Sequence, residues 1–250
     1  MEIQQKLLKK TNQNYFNLNT YKDLMVLLKS KYNFKLFNDD IKKEGVYLRH
    51  DIDIHPYFIK KFIKIYDQLE IKANFFFLLN SPNYNVLSNE FKLLSDYLLK
   101  KNHLIGMHIC NKLKWNKKDI IINQLYYKKK LGFSNVFSFH QPSKKNFSLK
   151  INKMINVYNK DYFSDEKYVS DINKKKSFLK KILNLINIKK KNFQILIHPI
   201  WWTYQNNNLE NKLKKIFFYE YNNYVSSISK KLIIKKFKIN MSNNIFNCYD

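Results

Sequence analysis

The stretch that decides the fold is Val46-Tyr47-Leu48-Arg49-His50-Asp51-Ile52-Asp53-Ile54-His55-Pro56. It starts as a short apolar run rich in β-branched and aromatic residues and ends in charged groups just ahead of a proline. That is how a buried strand hands over to a loop or helix. Working outward, similar runs recur at residues 72–79, 104–109, 135–139 and 193–197, and each of the four prolines (Pro56, Pro82, Pro142, Pro199) follows such a run.

Between the runs the apolar spacing lengthens to three or four. Phe58, Phe62, Ile65 and Leu69 repeat this way in residues 56–69, opposite Lys60, Lys61 and Lys64; Phe91, Leu94 and Leu98 do so in residues 88–100, with Ser88 as N-cap. Ile121, Leu125 and Lys128 mark a third helix ended by Gly132, and Phe178, Ile182, Leu185 and Ile186 mark a fourth. Strands alternating with helices predict parallel βαβ units. About seven of them predict an α/β fold, a distorted (β/α) barrel. No repeat or low-complexity linker is visible, so residues 1–250 read as a single domain, with a core over about 40–205 and helical additions at both ends.

Composition sets limits. The 250 residues are 45% hydrophobic and 16% aromatic, ample for a sizeable core and too rich for a disordered chain. Cys110 and Cys248 lie far apart without CxxC spacing, which argues against a disulfide framework and a thiolate zinc site. Lysine and arginine number 46 against 19 acidic residues, a net charge of +27, while Gly (3) and Pro (4) are almost absent. Drift toward AT-rich codons produces that pattern, and the lysines are scattered along helical stretches, so most read as solvated faces. The alternative is a real preference for anionic partners: acidic glycans, nucleotide-linked sugars or a membrane surface. A nucleic-acid-binding protein would need its lysines grouped on one face among exposed aromatics. The polar start MEIQQKLLKK and the lack of an apolar run near 20 residues predict a cytoplasmic protein without a transmembrane segment, membrane-surface association being the variant.

In parallel α/β folds ligands bind at the carboxyl ends of strands. The first predicted strand ends in Arg49-His50-Asp51-Ile52-Asp53, and later ones end in His108, His140 and His198, so four of the six histidines terminate strands. Residues two apart share a strand face, which points Arg49, Asp51 and Asp53 one way and His50 and Ile52 the other. Two carboxylates on one face repel unless something positive lies between them; a divalent metal would serve, and so in part would Arg49. A metal held by one carboxylate and two imidazoles leaves the other carboxylate free as a general base, and such donors suit Zn, Fe, Mn, Co or Ni. His50 and His103 read as core groups, and His55, ahead of Pro56, as a cap or a substrate-rim residue. Trp201 and Trp202 follow His198 and Pro199 closely enough to stack on a sugar, with core packing as the competing reading.

Taken together, YLRHDID (47–53), IKANFFFLLNSPNYN (71–85), HLIGMH (103–108), FSFHQPS (137–143), SDIN (170–173) and ILIHPIWW (195–202) resemble the polysaccharide deacetylase superfamily, the NodB-type fold of carbohydrate esterase family 4. The closer likeness is to its branch with a His-Asp-x-Asp first motif. The resemblance implies a distorted (β/α) barrel and metal-dependent hydrolysis of an N-acetyl, or another acyl or amide, group on a sugar. It implies Asp53 and His108 as metal ligands, Asp51 as general base, His198 as general acid, and Asp171 as the partner of that acid, with Asp165 as a rival.

The chain also departs from the family. Lys112 stands where the second metal histidine belongs, and His140 lies in the region of an arginine that steadies the base. His140 is therefore expected as the third ligand, Cys110 as a weaker substitute, and Arg49 as the group steadying Asp51. The run Lys174-Lys175-Lys176 predicts an altered substrate rim. The expected cofactor is one divalent ion, zinc first. The expected substrate is a carbohydrate (a sugar nucleotide, lipid-linked sugar or oligosaccharide) in surface-polysaccharide assembly. Two other readings stay open: a catalytically degenerate carbohydrate-binding or scaffold member of the same fold, and a basic nucleic-acid-binding protein.

Overall fold

From its N-terminus the computed structural model runs α1 (Glu2–Lys10), α2 (Leu18–Lys29), β1 (Phe34–Lys35), β2 (Gly45–Ile52), α3 (Lys60–Leu69), β3 (Asn74–Leu78), α4 (Asn89–Lys100), β4 (Leu104–Cys110) and α5 (Lys117–Leu131). It continues with β5 (Val136–His140), α6 (Lys144–Phe147), β6 (Ile155–Asn156), β7 (Tyr168–Ser170), α7 (Ser177–Asn187), β8 (Asn192–Ile197), α8 (Pro199–Trp202) and α9 (Leu209–Lys231). The structure describes residues 2–11, 15–172, 177–203 and 208–231. The chain divides into two units, Met1–Gln205 and Asn206–Asp250. The first carries every described strand; α9 is the described element of the second.

Seven strands pair in the continuous order β6-β5-β4-β3-β2-β8-β7, all parallel, and β1 joins β2 beside this path. The sheet curls into a distorted, open (β/α) barrel of the expected type. β2 and β3 are buried along their whole length, as strands covered on both faces must be. Two strands share one edge of β2: β1 pairs with Val46 and Tyr47, and β3 takes over from Arg49. Asn74 fills the fork between them. Its amide donates to Lys35 O and Leu48 O (3.0 and 3.1 Å), and its Oδ1 accepts from Phe37 N (3.0 Å).

The curl brings distant chain together inside the barrel. Gln194 on β8 donates to Val157 O and Tyr162 O, both beyond β6, and accepts from Arg49 Nη1 (3.1 Å). Arg49 in turn donates to Tyr158 Oη (2.9 Å), which donates to Phe139 O. Gly106 on β4 makes the interior fit, because a Cβ there would stand 2.5 Å from the Phe76 ring and 2.9 Å from Val136 O. Phe76 lies beneath the Arg49 guanidinium, 5.5 Å from ring centroid to Cζ.

The helices form where expected. Ser88 caps α4 by accepting from Phe91 N, and Gly132 ends α5 in the left-handed region at φ +73°. The inward face of α5 needs correcting. Ile121 and Leu125 are exposed, and the buried positions are Ile120, Gln124 and Leu131. Three successive isoleucines make the apolar period ambiguous, and Gln124 can face inward because its amide reaches Asn135 Oδ1 (2.7 Å) and Phe133 O. No helix among the described residues is long and apolar enough to cross a membrane.

Candidate functional site

The carboxyl ends of β2, β4, β5 and β8 converge on one cluster. Asp53 leaves the end of β2, His108 lies on β4, His140 ends β5, and His198 follows β8. Alternation along β2 works as the period of two requires. Arg49 and Asp51 share the inner face, where Arg49 Nε and Nη2 donate to the two Asp51 oxygens at 2.7 and 2.6 Å. His50 faces the opposite side, its Nε2 2.6 Å from Tyr66 Oη and its ring stacked on Phe75.

Asp53 Oδ1 lies 3.0 Å from His108 Nε2 and 3.3 Å from His140 Nδ1, and these three residues each offer one ligand atom, all within 4.8 Å of one another. Asp53 Oδ1 is nevertheless buried without a hydrogen-bond partner. Donor atoms that crowd together without bonding one another suit a shared cation. Ligands about 2.0–2.1 Å from a tetrahedral zinc-like ion stand about 3.3 Å apart, close to the two distances from Asp53 Oδ1. One carboxylate and two imidazoles are also the right donors. His108 Nδ1 is 2.6 Å from Ser138 Oγ on the paired strand, an outer contact that orients the ring and leaves Nε2 facing Asp53. The residues therefore fit a divalent ion.

Flanking this triad, Asp51 Oδ2 lies 3.6 Å from His108 Nε2, and His198 Nε2 lies 3.7 Å from Asp53 Oδ2. His198 Nδ1 is 2.6 Å from Asp171 Oδ1, and its backbone N–H donates to the same carboxylate. Burial opposes charge on His198, but Asp171 beside it, with Asp53 and Asp51 behind, raises its imidazole to about 9. Burial likewise disfavours ionised Asp53, yet His108, His140 and His198 hold its carboxyl well below the usual range. Contact with Asp53 raises His140. A cation on Asp53 would replace the His140 proton that Asp53 favours.

Other sequence-predicted residues fall in different places. Asp171 is buried against His198 while its rival Asp165 is exposed. His55 is a buried cap, its Nδ1 accepting from Tyr57 N at 3.1 Å, which matches the cap reading and not the rim. The sugar-stacking reading of Trp202 is corrected: at 0% exposure it has no free face, and its Nε1 donates to Asp171 Oδ2 at 2.7 Å. Trp201 is half-buried against the core. Lys112 is exposed, and Cys110 is not among the clustered donors. The run Lys174-Lys175-Lys176 lies outside the described residues. Sequence reasoning missed Ser138, Gln194 and Tyr158. Ser138 alone carried a signal, standing two residues before His140 on the same strand face.

Fold and site together define a (β/α) barrel with a carboxylate–imidazole cluster at its carboxyl mouth. Neither a protein-family model nor a curated protein matches the chain. Among solved structures it is similar to the chitin deacetylase from the fungal pathogen Colletotrichum lindemuthianum (14% identity, 70% of this chain and 82% of that one, TM-score 0.45). It is also similar to the peptidoglycan deacetylase PdaC from Bacillus subtilis (17% identity, 79% and 99%, TM-score 0.45). A third is a mutant CE4 family pseudoenzyme with restored enzymatic activity (12% identity, 72% and 65%, TM-score 0.43).

Proposed function

We propose that this chain is a metal-dependent hydrolase that removes an acetyl or other acyl group from the nitrogen of an amino sugar in a carbohydrate precursor. The observation that carries the reading is the three-atom donor set of Asp53, His108 and His140, with a gripped carboxylate on one side and a protonatable imidazole on the other. The order of the sequence motifs supports the sugar as substrate class.

Asp53, His108 and His140 would hold the ion. When bound, a divalent cation supplies Lewis acidity toward a carbonyl oxygen and lowers the pKa of water from 15.7 to about 7. Asp51, held by Arg49 through both oxygens, is fixed in one orientation and takes the proton of the attacking water. His198, which Asp171 keeps protonated, gives its proton to the nitrogen as the C–N bond breaks. Water thus contributes hydroxide to the acyl carbon and a proton to Asp51, and the products are a carboxylic acid and a free amine. The donated proton matters because an amide anion is too basic to leave; acid–base assistance of this kind is worth roughly 10²–10⁴-fold.

Protein purified without chelator is expected to carry one divalent ion per chain and to release acetate from an N-acetylglucosamine oligosaccharide. Chelation should abolish release, and adding the ion back should restore it. A chain that carries no ion and releases no acetate would be the metal-free carbohydrate-binding member instead.

A further inference from the structure

We infer that Trp202 is a positioning residue for the proton donor, acting through its indole N–H on Asp171; this rests on the hydrolase reading above. Asp171 is fully buried, and its carboxylate is encircled. Oδ1 faces His198 Nδ1 at 2.6 Å and accepts from His198 N at 3.1 Å; Oδ2 accepts from His198 N at 2.9 Å and from Trp202 Nε1 at 2.7 Å. Three of these four contacts come from His198 itself. They tie the carboxylate to the imidazole and to the chain at the end of β8, where Asp171 N also donates to Leu196 O (3.2 Å), but not to the helices outside the sheet. Trp202 supplies the fourth contact, and it is anchored elsewhere.

The anchor is an aromatic cluster. Ring centroids of Phe16, Tyr21 and Phe178 lie 4.9, 5.2 and 5.7 Å from that of Trp202. Phe16 precedes α2, Tyr21 belongs to it, and Phe178 belongs to α7. One indole therefore connects the helices packed outside the sheet to the carboxylate that aims His198 at Asp53. A flat ring would fill the cluster equally well. The N–H pointed at a buried carboxylate is an additional, charge-assisted bond that packing does not require.

Packing and positioning predict different things for Trp202→Phe, which keeps most of the ring volume and removes the N–H. 4-Nitrophenyl acetate expels a leaving group that needs no proton, whereas an N-acetylglucosamine trimer must have its nitrogen protonated. The variant should hydrolyse the ester within about two-fold of the parent and release acetate from the trimer about 10- to 100-fold more slowly, the range for losing a bond to a charged group. Phe178→Leu, in the same cluster but without a polar atom, should lower thermal stability and leave the amide-to-ester ratio unchanged. An equal fall on both probes, or no fall on the trimer, overturns the inference. Should Trp202→Phe not fold, the indole proton resonance of the intact chain decides: it is expected to move upfield in Asp171→Asn, and an unmoved signal overturns the link. If the parent chain cleaves neither probe, the hydrolase reading fails, while the indole signal still tests the bond.

Discussion

His50 and His108 belong to one sheet, stand one strand apart and are almost completely buried, yet they sit in opposite electrostatic settings. His50 points out of the barrel into aromatic rings, and burial pushes its imidazole down to about 3. His108 points inward, within 3.6 Å of two carboxylates. Burial therefore does not separate a structural histidine from a functional one. The residues that face it do, and the period of two along β2 decides which histidine meets Asp51 and Asp53.

Removing a carboxylate breaks that contrast most severely. Asp51→Asn should leave metal content unchanged, because Asp51 is outside the three-atom donor set, and should lower kcat about 10²- to 10⁴-fold by removing the base. Metal analysis beside acetate release checks this. Loss of the ion in Asp51→Asn would exchange the roles of Asp51 and Asp53.

The next effect is on stability. Arg49 is 0% exposed, and Asp51 accepts two of its donors. Arg49→Met leaves a buried carboxylate without its partner, which costs about 3–5 kcal/mol, whereas losing a matched pair costs less. Urea unfolding should show the single variant well below the parent and the Arg49→Met, Asp51→Asn double variant above the single. A double variant less stable than Arg49→Met would show that the Asp51 carboxylate has another supporting partner, His108 Nε2 at 3.6 Å, and does not depend on the guanidinium.

What was legible in the sequence follows from how local each rule is. Alternation needs only neighbouring residues, so the shared face of Arg49 and Asp51 and the outward turn of His50 were readable, as were the strand ends carrying His108, His140 and His198. The curl is not local. Nothing in the chain near Gln194 announces that it meets Val157, Tyr162 and Arg49, since that depends on how far the sheet bends. Trp202 misled for a related reason: an indole beside a site histidine suits a sugar or a core, and only the position of Phe16 and Tyr21 decides. On α5 three consecutive isoleucines erased the period that would have named its buried face.

Ser138 sharpens the comparison from the side of His108. His50 is oriented by a phenol, and His108 by a hydroxyl whose bond to Nδ1 directs Nε2 toward Asp53. Ser138→Ala removes that orientation without touching a ligand atom and should weaken metal affinity about 10- to 100-fold, as such outer contacts do. Competition titration with a chromophoric chelator measures it; an unchanged affinity would mean that strand packing alone aims the ring.

The last effect is spread over pH and separates the two kinds of histidine in one measurement. Burial lowers His50 to about 3 and His55 and His103 to about 4, against about 6.5 in an unfolded chain. As pH falls below 6.5 the unfolded chain takes up protons that the folded one refuses, so stability drops by about 1.4 kcal/mol per pH unit for each, until the folded values are reached. His140 and His198 are raised, His198 to about 9, and act with the opposite sign. Between pH 6.5 and 9 the folded chain retains protons that the unfolded one has lost, so stability falls as pH rises. In chelator-treated protein these five histidines together place the maximum near pH 6.5, and His103→Gln should flatten only the acid limb. Restoring the divalent ion should remove the His140 share of the alkaline limb, because the cation displaces that proton at Asp53, while the His198 share, which Asp171 maintains, and the acid limb stay. An alkaline limb left unchanged by saturation with the ion would place the metal away from Asp53, and the mouth histidines would then differ from His50 in charge alone.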